Sequence, residues 1–316
     1  LYAEVTGNLK LTLENGKTGT LNKNVQGKVE FVAPGGGTAT LALDVDVKVT
    51  SVDFTAAAVG DTFKLELNKN EIGTLSFAKT TAGLKVKSDG AFDTENTIHF
   101  LQPAADATLE LAGGTRALVV RDGTESANWN VKVGNFDTFR VKSRGLLSGT
   151  VKVTLAKFSI LTLPSGEFPN LELSAVNPAN PATIEVDAAT QDPVLKVNKI
   201  DVAAGKTLKM NRPKTWWKSL AAGDTVVLLK ADDVNLNGTG TIEGNPADDA
   251  VATIVWDGSQ KALVLTAKGD IKVPELAAKV DVSGNKRTVN VKVLGDVKVK
   301  EEESDWKAEM ILGDRP

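Results

Sequence analysis

The side chains able to do chemistry are few in this chain and poorly grouped. It has one histidine, His99, within Thr97-Ile98-His99-Phe100, and no cysteine. A Ser-His-Asp relay needs its imidazole beside a nucleophile and an orienting acid. The Gly-x-Ser-x-Gly turn that presents such a serine occurs nowhere in the sequence. One histidine cannot build a multi-histidine metal site, and the lack of cysteine removes thiolate zinc, iron–sulfur clusters, disulfides and thiol nucleophiles. Carboxylates are plentiful: Asp44 with Asp46, Asp232 with Asp233, Asp248 with Asp249, and Glu301-Glu302-Glu303. Two carboxylates ~5–10 Å apart can act as acid and base on a glycosidic bond, but these pairs fall in turns or on strand faces expected to be solvated. Asp44 and Asp46 alternate on an expected strand and point to one side. They are the candidate ligands for Ca2+, the one cofactor that the residue types leave open. Gly35-Gly36-Gly37 lacks the Gly-Lys-Ser/Thr ending and following helix of a phosphate loop. The expectation is a protein that is not an enzyme.

Aromatic side chains offer a second kind of contact. There are five Trp, ten Phe and one Tyr, and Trp216-Trp217 is the one tryptophan cluster. It follows Arg212-Pro213-Lys214 in a segment that reads as a loop. Adjacent residues of an extended segment point opposite ways, so one indole is expected to pack on the core. The other is the candidate stacking contact for a sugar or a partner. Trp129, Trp256 and Trp306 are isolated and are expected to fill gaps in the core or at its ends.

The elements that would carry these residues are strands. Apolar–polar–apolar triplets recur along the chain, among them Leu9-Lys10-Leu11, Val29-Glu30-Phe31, Leu65-Glu66-Leu67, Val131-Lys132-Val133, Leu195-Lys196-Val197 and Val297-Lys298-Val299. Period-two alternation puts the apolar members on one face and the Lys, Glu or Asp on the other. Turn clusters such as Ser88-Asp89-Gly90, Asn237-Gly238 and Asp257-Gly258 separate them. Helical periodicity is almost absent, with short helical turns conceivable only near Leu276-Ala277-Ala278 and Glu301 to Trp306. The chain is therefore expected to be all-β, with about 25–30 short strands. Strand density in the middle of the chain points to an irregular right-handed parallel β-helix or solenoid, built from coils of roughly 20–30 residues. The expected division is 1–125, a β-rich region that is either sandwich-like or the first solenoid coils; 126–269, a solenoid with a cap; and 270–316, further strands and a charged tail.

The stretch Ile184 to Ala267 resembles the C-terminal part of bacterial autotransporter passengers. The residues that carry the resemblance are Leu195-Lys196-Val197, Ile200-Asp201-Val202, Ala204-Gly205-Lys206-Thr207-Leu208 and Leu220-Ala221-Ala222-Gly223-Asp224-Thr225-Val226-Val227-Leu228-Leu229. Ile254-Val255-Trp256-Asp257-Gly258 and Leu263-Val264-Leu265 look like the closing hairpin of that family's cap. The resemblance implies a secreted or cell-surface bacterial protein. Residues 270–316 depart from the family's membrane barrel, so the barrel was cleaved away or the chain reaches the surface by another route. The start at Leu1-Tyr2-Ala3 fits the remnant of a signal-peptide cleavage region.

These readings converge on a non-enzymatic, extracellular or cell-surface structural or adhesin-like protein, self-assembling into a filament or layer. Its expected partners are copies of itself or a host or cell-surface glycan or protein. The first strand, with Val5, Leu9 and Leu11, and a late one, with Val297 and Val299, are the candidate assembly edges. The balance of 37 Lys+Arg against 40 Asp+Glu, net −3, gives no nucleic-acid surface. No apolar run approaches the ~20 residues of a transmembrane helix. The alternatives are a carbohydrate-binding module, using Trp216 or Trp217, and a polysaccharide-active β-helix enzyme.

Overall fold

The computed structural model describes residues 5–33, 37–44, 47–56, 62–68, 70–77, 85–89, 95–112, 117–124, 128–176, 180–245, 251–271, 277–283, 286–292, 297–300 and 309–312. In chain order the strands begin with β1 (Val5–Thr6), β2 (Leu9–Thr12), β3 (Thr18–Leu21), β4 (Val25–Ala33), β5 (Thr38–Leu43), β6 (Val49–Ala56), β7 (Thr62–Glu66) and β8 (Glu71–Phe77). Then come β9 (Lys85–Asp89), β10 (Glu95–Gln102), β11 (Thr108–Leu111), β12 (Ala117–Gly123), β13 (Trp129–Val133), β14 (Thr138–Val141), β15 (Val151–Leu155) and β16 (Ile160–Leu163). The series continues with β17 (Gly166–Ala175), β18 (Ala182–Val186), β19 (Leu195–Val202), β20 (Thr207–Met210), β21 (Thr225–Leu236), β22 (Thr241–Gly244), β23 (Ala252–Asp257) and β24 (Ala262–Ala267). Two antiparallel hairpins follow, β25 (Ala277–Ser283) with β26 (Lys286–Lys292), and β27 (Val297–Lys300) with β28 (Glu309–Leu312).

The chain winds as a parallel β-solenoid with two long faces. From β3 to β22, successive strands alternate between two sheets: the even-numbered strands stack in one and the odd-numbered strands in the other. Each strand pairs in parallel with the strand one coil away, so Leu118 lies beside Phe139, 21 positions on, and Ile72 beside Ile98, 26 positions on. The N-terminal region takes the solenoid form and not the sandwich-like one: β4, β6, β8 and β10 pair parallel, as do β3, β5 and β7. Ala277 and Ala278 lie in β25, where a helical turn was conceivable from the sequence.

Alternation explains the core. In β13 the pattern Trp129-Asn130-Val131-Lys132-Val133 buries the first, third and fifth residues. Like residues stack on like through the register: Val131 sits between Leu109 and Val153. Near the N-terminal end Phe31 and Phe54 are register partners in one sheet and meet Phe63 of the other, with ring centroids 5.0–5.6 Å apart. Farther along, the core is mostly Leu, Ile and Val, with Trp129, Phe139, Phe168 and Trp216 spaced along it. The one proline inside β17, Pro169, falls where the register of β17 against β19 shifts between Phe168 and Glu172. A bulge of this kind spares the ladder the amide that proline lacks.

Several outward-facing charges pair between coils. Lys10 meets Glu30 at 3.5 Å, Lys87 meets Glu110 at 3.4 Å, Lys142 meets Asp187 at 3.0 Å and Arg140 meets Glu95 at 3.0 Å. Each exposed pair contributes at most about 1 kcal/mol, and like charges also fall opposite one another, as Lys64 with Lys87 and Lys196 with Lys230. Hydrogen bonds raise the pKa of Lys28 through Asp53 and that of Lys199 through Asp201, keeping both lysines charged. Asparagines stitch the turns: the side chain of Asn24 accepts the Lys48 amide at 2.9 Å, and Asn68 donates to the Leu43 carbonyl at 2.8 Å.

The two ends differ. At the C-terminal end β24 pairs antiparallel with β21, and β23 pairs antiparallel with β24, which stops the parallel winding. The Asp257 carboxylate caps that hairpin's turn, accepting the Ser259 hydroxyl at 2.6 Å and the Ser259 and Gln260 amides at 2.9 and 3.2 Å. These bonds, the Ser259 hydroxyl first, hold its pKa below the usual carboxylate value. At the N-terminal end Leu9, Leu11 and Leu13 are only half-buried against a core whose next layer, Val29 and Phe31, is fully covered.

Two outcomes follow from this packing. Phe54→Ala removes one ring of the three-ring cluster and is expected to lower unfolding stability by about 3–5 kcal/mol, read by urea denaturation. The Asp257 carboxyl, followed by NMR during an acid titration, is expected to ionise below about 3.9. Its bonds therefore support the hairpin at neutral pH and are lost as pH falls through that lowered pKa; a midpoint above the usual value contradicts the assignment.

Candidate functional site

One turn geometry recurs at the start of many strands. In Glu14-Asn15-Gly16-Lys17 the last amide bonds the first carbonyl, and Gly16, two residues before β3, has a φ of 73°. The same bond closes the turns 104–107, 134–137, 156–159 and 203–206, before β11, β14, β16 and β20. Their third residues are Asp106, Phe136, Phe158 and Gly205, with φ of 59°, 64°, 55° and 70°. A positive φ at the third position is what a type II turn requires, and glycine or asparagine is the usual occupant.

Phe136 and Phe158 break that rule side by side. A bulky residue at positive φ is a backbone outlier, at about 1–3 kcal/mol each. Neither ring recovers this by burial, since they are 45% and 41% exposed. The turns stack: the Phe136 amide donates to the Lys157 carbonyl at 3.1 Å, and the Phe158 amide to the Pro181 carbonyl at 3.2 Å. The rings come within 5.0 Å at an angle of 33°, and Lys157 Nζ lies 5.6 and 5.9 Å from the two centroids. An ammonium at that distance is held by the rings' quadrupoles.

Beside this pair runs a surface groove of about 560 Å3. Phe136 forms part of its wall, and the outward residues Glu110, Lys132 and Thr154, register partners on β11, β13 and β15, line it. Glu110 is neutralised by Lys87. Neither Lys132 nor Lys157 forms an ion pair among the described residues. Phe136 and Lys132 thus line the groove, Phe158 and Lys157 stand beside it at the Phe136 ring, and Asp137, next in the chain, is fully buried.

The residues singled out from the sequence lie elsewhere. Trp216 is buried and Trp217 is 37% exposed, their rings 6.1 Å apart, so one indole does face inward and the other outward. Lys218 Nζ stands 5.6 Å from the Trp217 ring. Both tryptophans lie between β20 and β21, far along the chain from Phe136. Val5 and Leu9 with Leu11 sit on β1 and β2, both parallel to β4 at the N-terminal end. Val297 and Val299 lie on β27, paired with β28; their side chains are outside the described residues. Asp44 follows β5 and does not lie within a strand, correcting the expected alternation; its carbonyl accepts the Asn70 side chain. Asp46, Asp248, Asp249, Glu301, Glu302, Glu303, Trp306, Gly35 and Gly36 lie outside the described residues. No group of three or more metal-ligating side chains forms among the described residues. His99 is exposed and meets Glu71 at 2.8 Å on the outer face. Trp129 fills the core, as its isolation in the sequence implied.

Sequence reading passed over the two phenylalanines because each looks like one more apolar residue before a strand. The signal was available in alignment of the strand starts: Gly16-Lys17-Thr18, Gly205-Lys206-Thr207 and Gly223-Asp224-Thr225 place glycine where Phe136-Asp137-Thr138 and Phe158-Ser159-Ile160 place a ring.

The tryptophan pair gives a direct check on inward and outward placement. Trp216→Ala is expected to destabilise by about 3–5 kcal/mol and Trp217→Ala by less than about 1 kcal/mol, with equal losses in urea denaturation contradicting the arrangement. No protein family matches the chain, and neither a curated protein nor a solved structure matches it.

Proposed function

We propose that this chain is a non-enzymatic structural or adhesin-like protein of a bacterial surface, a stiff rod that makes contacts along its sides and through its N-terminal coil. The observation that carries the reading is the asymmetry of the ends. One end of the parallel stack is turned back by the β23–β24 hairpin, while the other presents the edges of β2 and β3 with Leu9, Leu11 and Leu13 half-buried. Among the described residues no further strand pairs with these edges, and open edges beside partly covered apolar side chains favour addition of another strand. The charged residues on the sheet faces support the same reading, since they keep the sides of a solenoid hydrated. The likeness of residues 184–267 to autotransporter passengers supports a surface location.

Light scattering and electron microscopy over a concentration series test the proposal. Association is expected as concentration rises, into pairs or longer filaments, and Leu11→Lys is expected to weaken it by about tenfold or more, since a charge at an apolar contact opposes its burial. A monomer at every concentration overturns the assembly reading.

A further inference from the structure

We propose that the groove beside Phe136 and Phe158 binds an acidic polysaccharide, with sugar rings lying against the exposed phenyl groups and sugar carboxylates meeting Lys132 and Lys157. This deepens the adhesin-like reading by naming a site and a ligand class, and it does not depend on assembly through the N-terminal coil.

Three independent features support it. The first is backbone strain at two exposed rings. Two consecutive turns place phenylalanine at φ of 64° and 55°, where the neighbouring turns of the same type use Gly16, Asp106 and Gly205. Such outliers persist where something beyond the turn itself holds them, and binding sites are where they cluster. The second is shape: a groove of about 560 Å3 falls within the range of about 300–1,000 Å3 found for small-ligand clefts. The third is charge. In the groove Glu110 is already matched by Lys87, which leaves Lys132 to attract an anion, and Lys157 stands beside it at the two rings.

These features select among anionic ligands. Each unit of an acidic polysaccharide carries a ring face of C–H groups that stacks on an aromatic side chain and a carboxylate that accepts from an ammonium. The two phenyl rings stand one coil apart at 5.0 Å, repeating an apolar contact along the direction in which the coils stack. Thr154 in the groove can exchange hydrogen bonds with sugar hydroxyls. An acidic peptide has the charge but no rigid ring face recurring with it.

Isothermal titration calorimetry tests the site with oligogalacturonate and hyaluronan oligosaccharides, beside cello-oligosaccharides and poly-glutamate, at a protein concentration where light scattering shows one species. At least one acidic oligosaccharide is expected to bind, more weakly as salt rises. The neutral oligosaccharides and poly-glutamate are expected to bind at least about tenfold more weakly. The double variant Phe136→Gly, Phe158→Gly is expected to lose about tenfold or more in affinity while Tm holds or rises, because glycine adopts the positive φ without strain. Lys132→Ala with Lys157→Ala is expected to weaken binding and flatten its salt dependence. Failure of both acidic oligosaccharides to bind overturns the proposal, as does binding unchanged in the glycine variant or equal binding of poly-glutamate. None of these results alters the assembly measurement, so the two readings fail separately.

Discussion

Parallel pairing of each strand with the strand one coil away is the constraint on which everything else rests. Side chains then stack in columns along the molecule: apolar on apolar inside, as for Leu109, Val131 and Val153, and polar on polar outside, as for Glu110, Lys132 and Thr154. A slip of one residue would move a whole strand's apolar set to the solvent. The column is therefore a collective property, and each coil is held mainly by its two neighbours. This explains why a core with few aromatic residues is enough. Two sheets face each other closely, and Leu, Val and Ile in register fill the space between them, with Phe31, Phe54 and Phe63 grouped near one end and Trp129 near the middle.

The same constraint sets the chemistry of the surface. Charged residues on the faces find partners one or two coils away, as Arg140 does with Glu95 and Lys142 with Asp187. The turns are freer, because a turn only has to return the chain to the next strand. Large exposed aromatic side chains are accordingly found there. Phe136 and Phe158 occupy turns, Lys157 lies over both rings, and Trp217 lies in the long connection between β20 and β21.

Strand type and facing were legible in the sequence because alternation is a local property. Val131-Lys132-Val133 reads as a strand whatever surrounds it, and it is one. The sequence also held the closing hairpin around Ile254 and Leu265 and the inward and outward indoles of Trp216 and Trp217. What alternation cannot carry is which strand lies beside which. The first region reads equally as a sandwich or as coils, since both need the same half-buried strands; pairing of β4 with β6 decides it, and that pairing depends on residues more than 20 positions apart. The groove was illegible for the same reason: Glu110, Lys132 and Thr154 belong to three separate strands. The backbone angle at Phe136 is hidden for another reason, because residue type argues against it. Asp44 shows the limit of the pattern itself, an alternating triplet whose first residue lies past the end of β5.

Coil length varies without disturbing the columns. Val151 pairs with Leu171, 20 positions on, whereas Leu195 pairs with Leu229, 34 positions on. The residues from Asn211 to Asp224, which include both Trp216 and Trp217, lie outside the strands. Lengthening a connection of this kind adds little closure entropy, since each doubling raises it by only about 0.6 kcal/mol. The solenoid is thus a chassis that accepts new loops one coil at a time. Variation under selection can rewrite what such a loop recognises while the ladder beneath it stays the same.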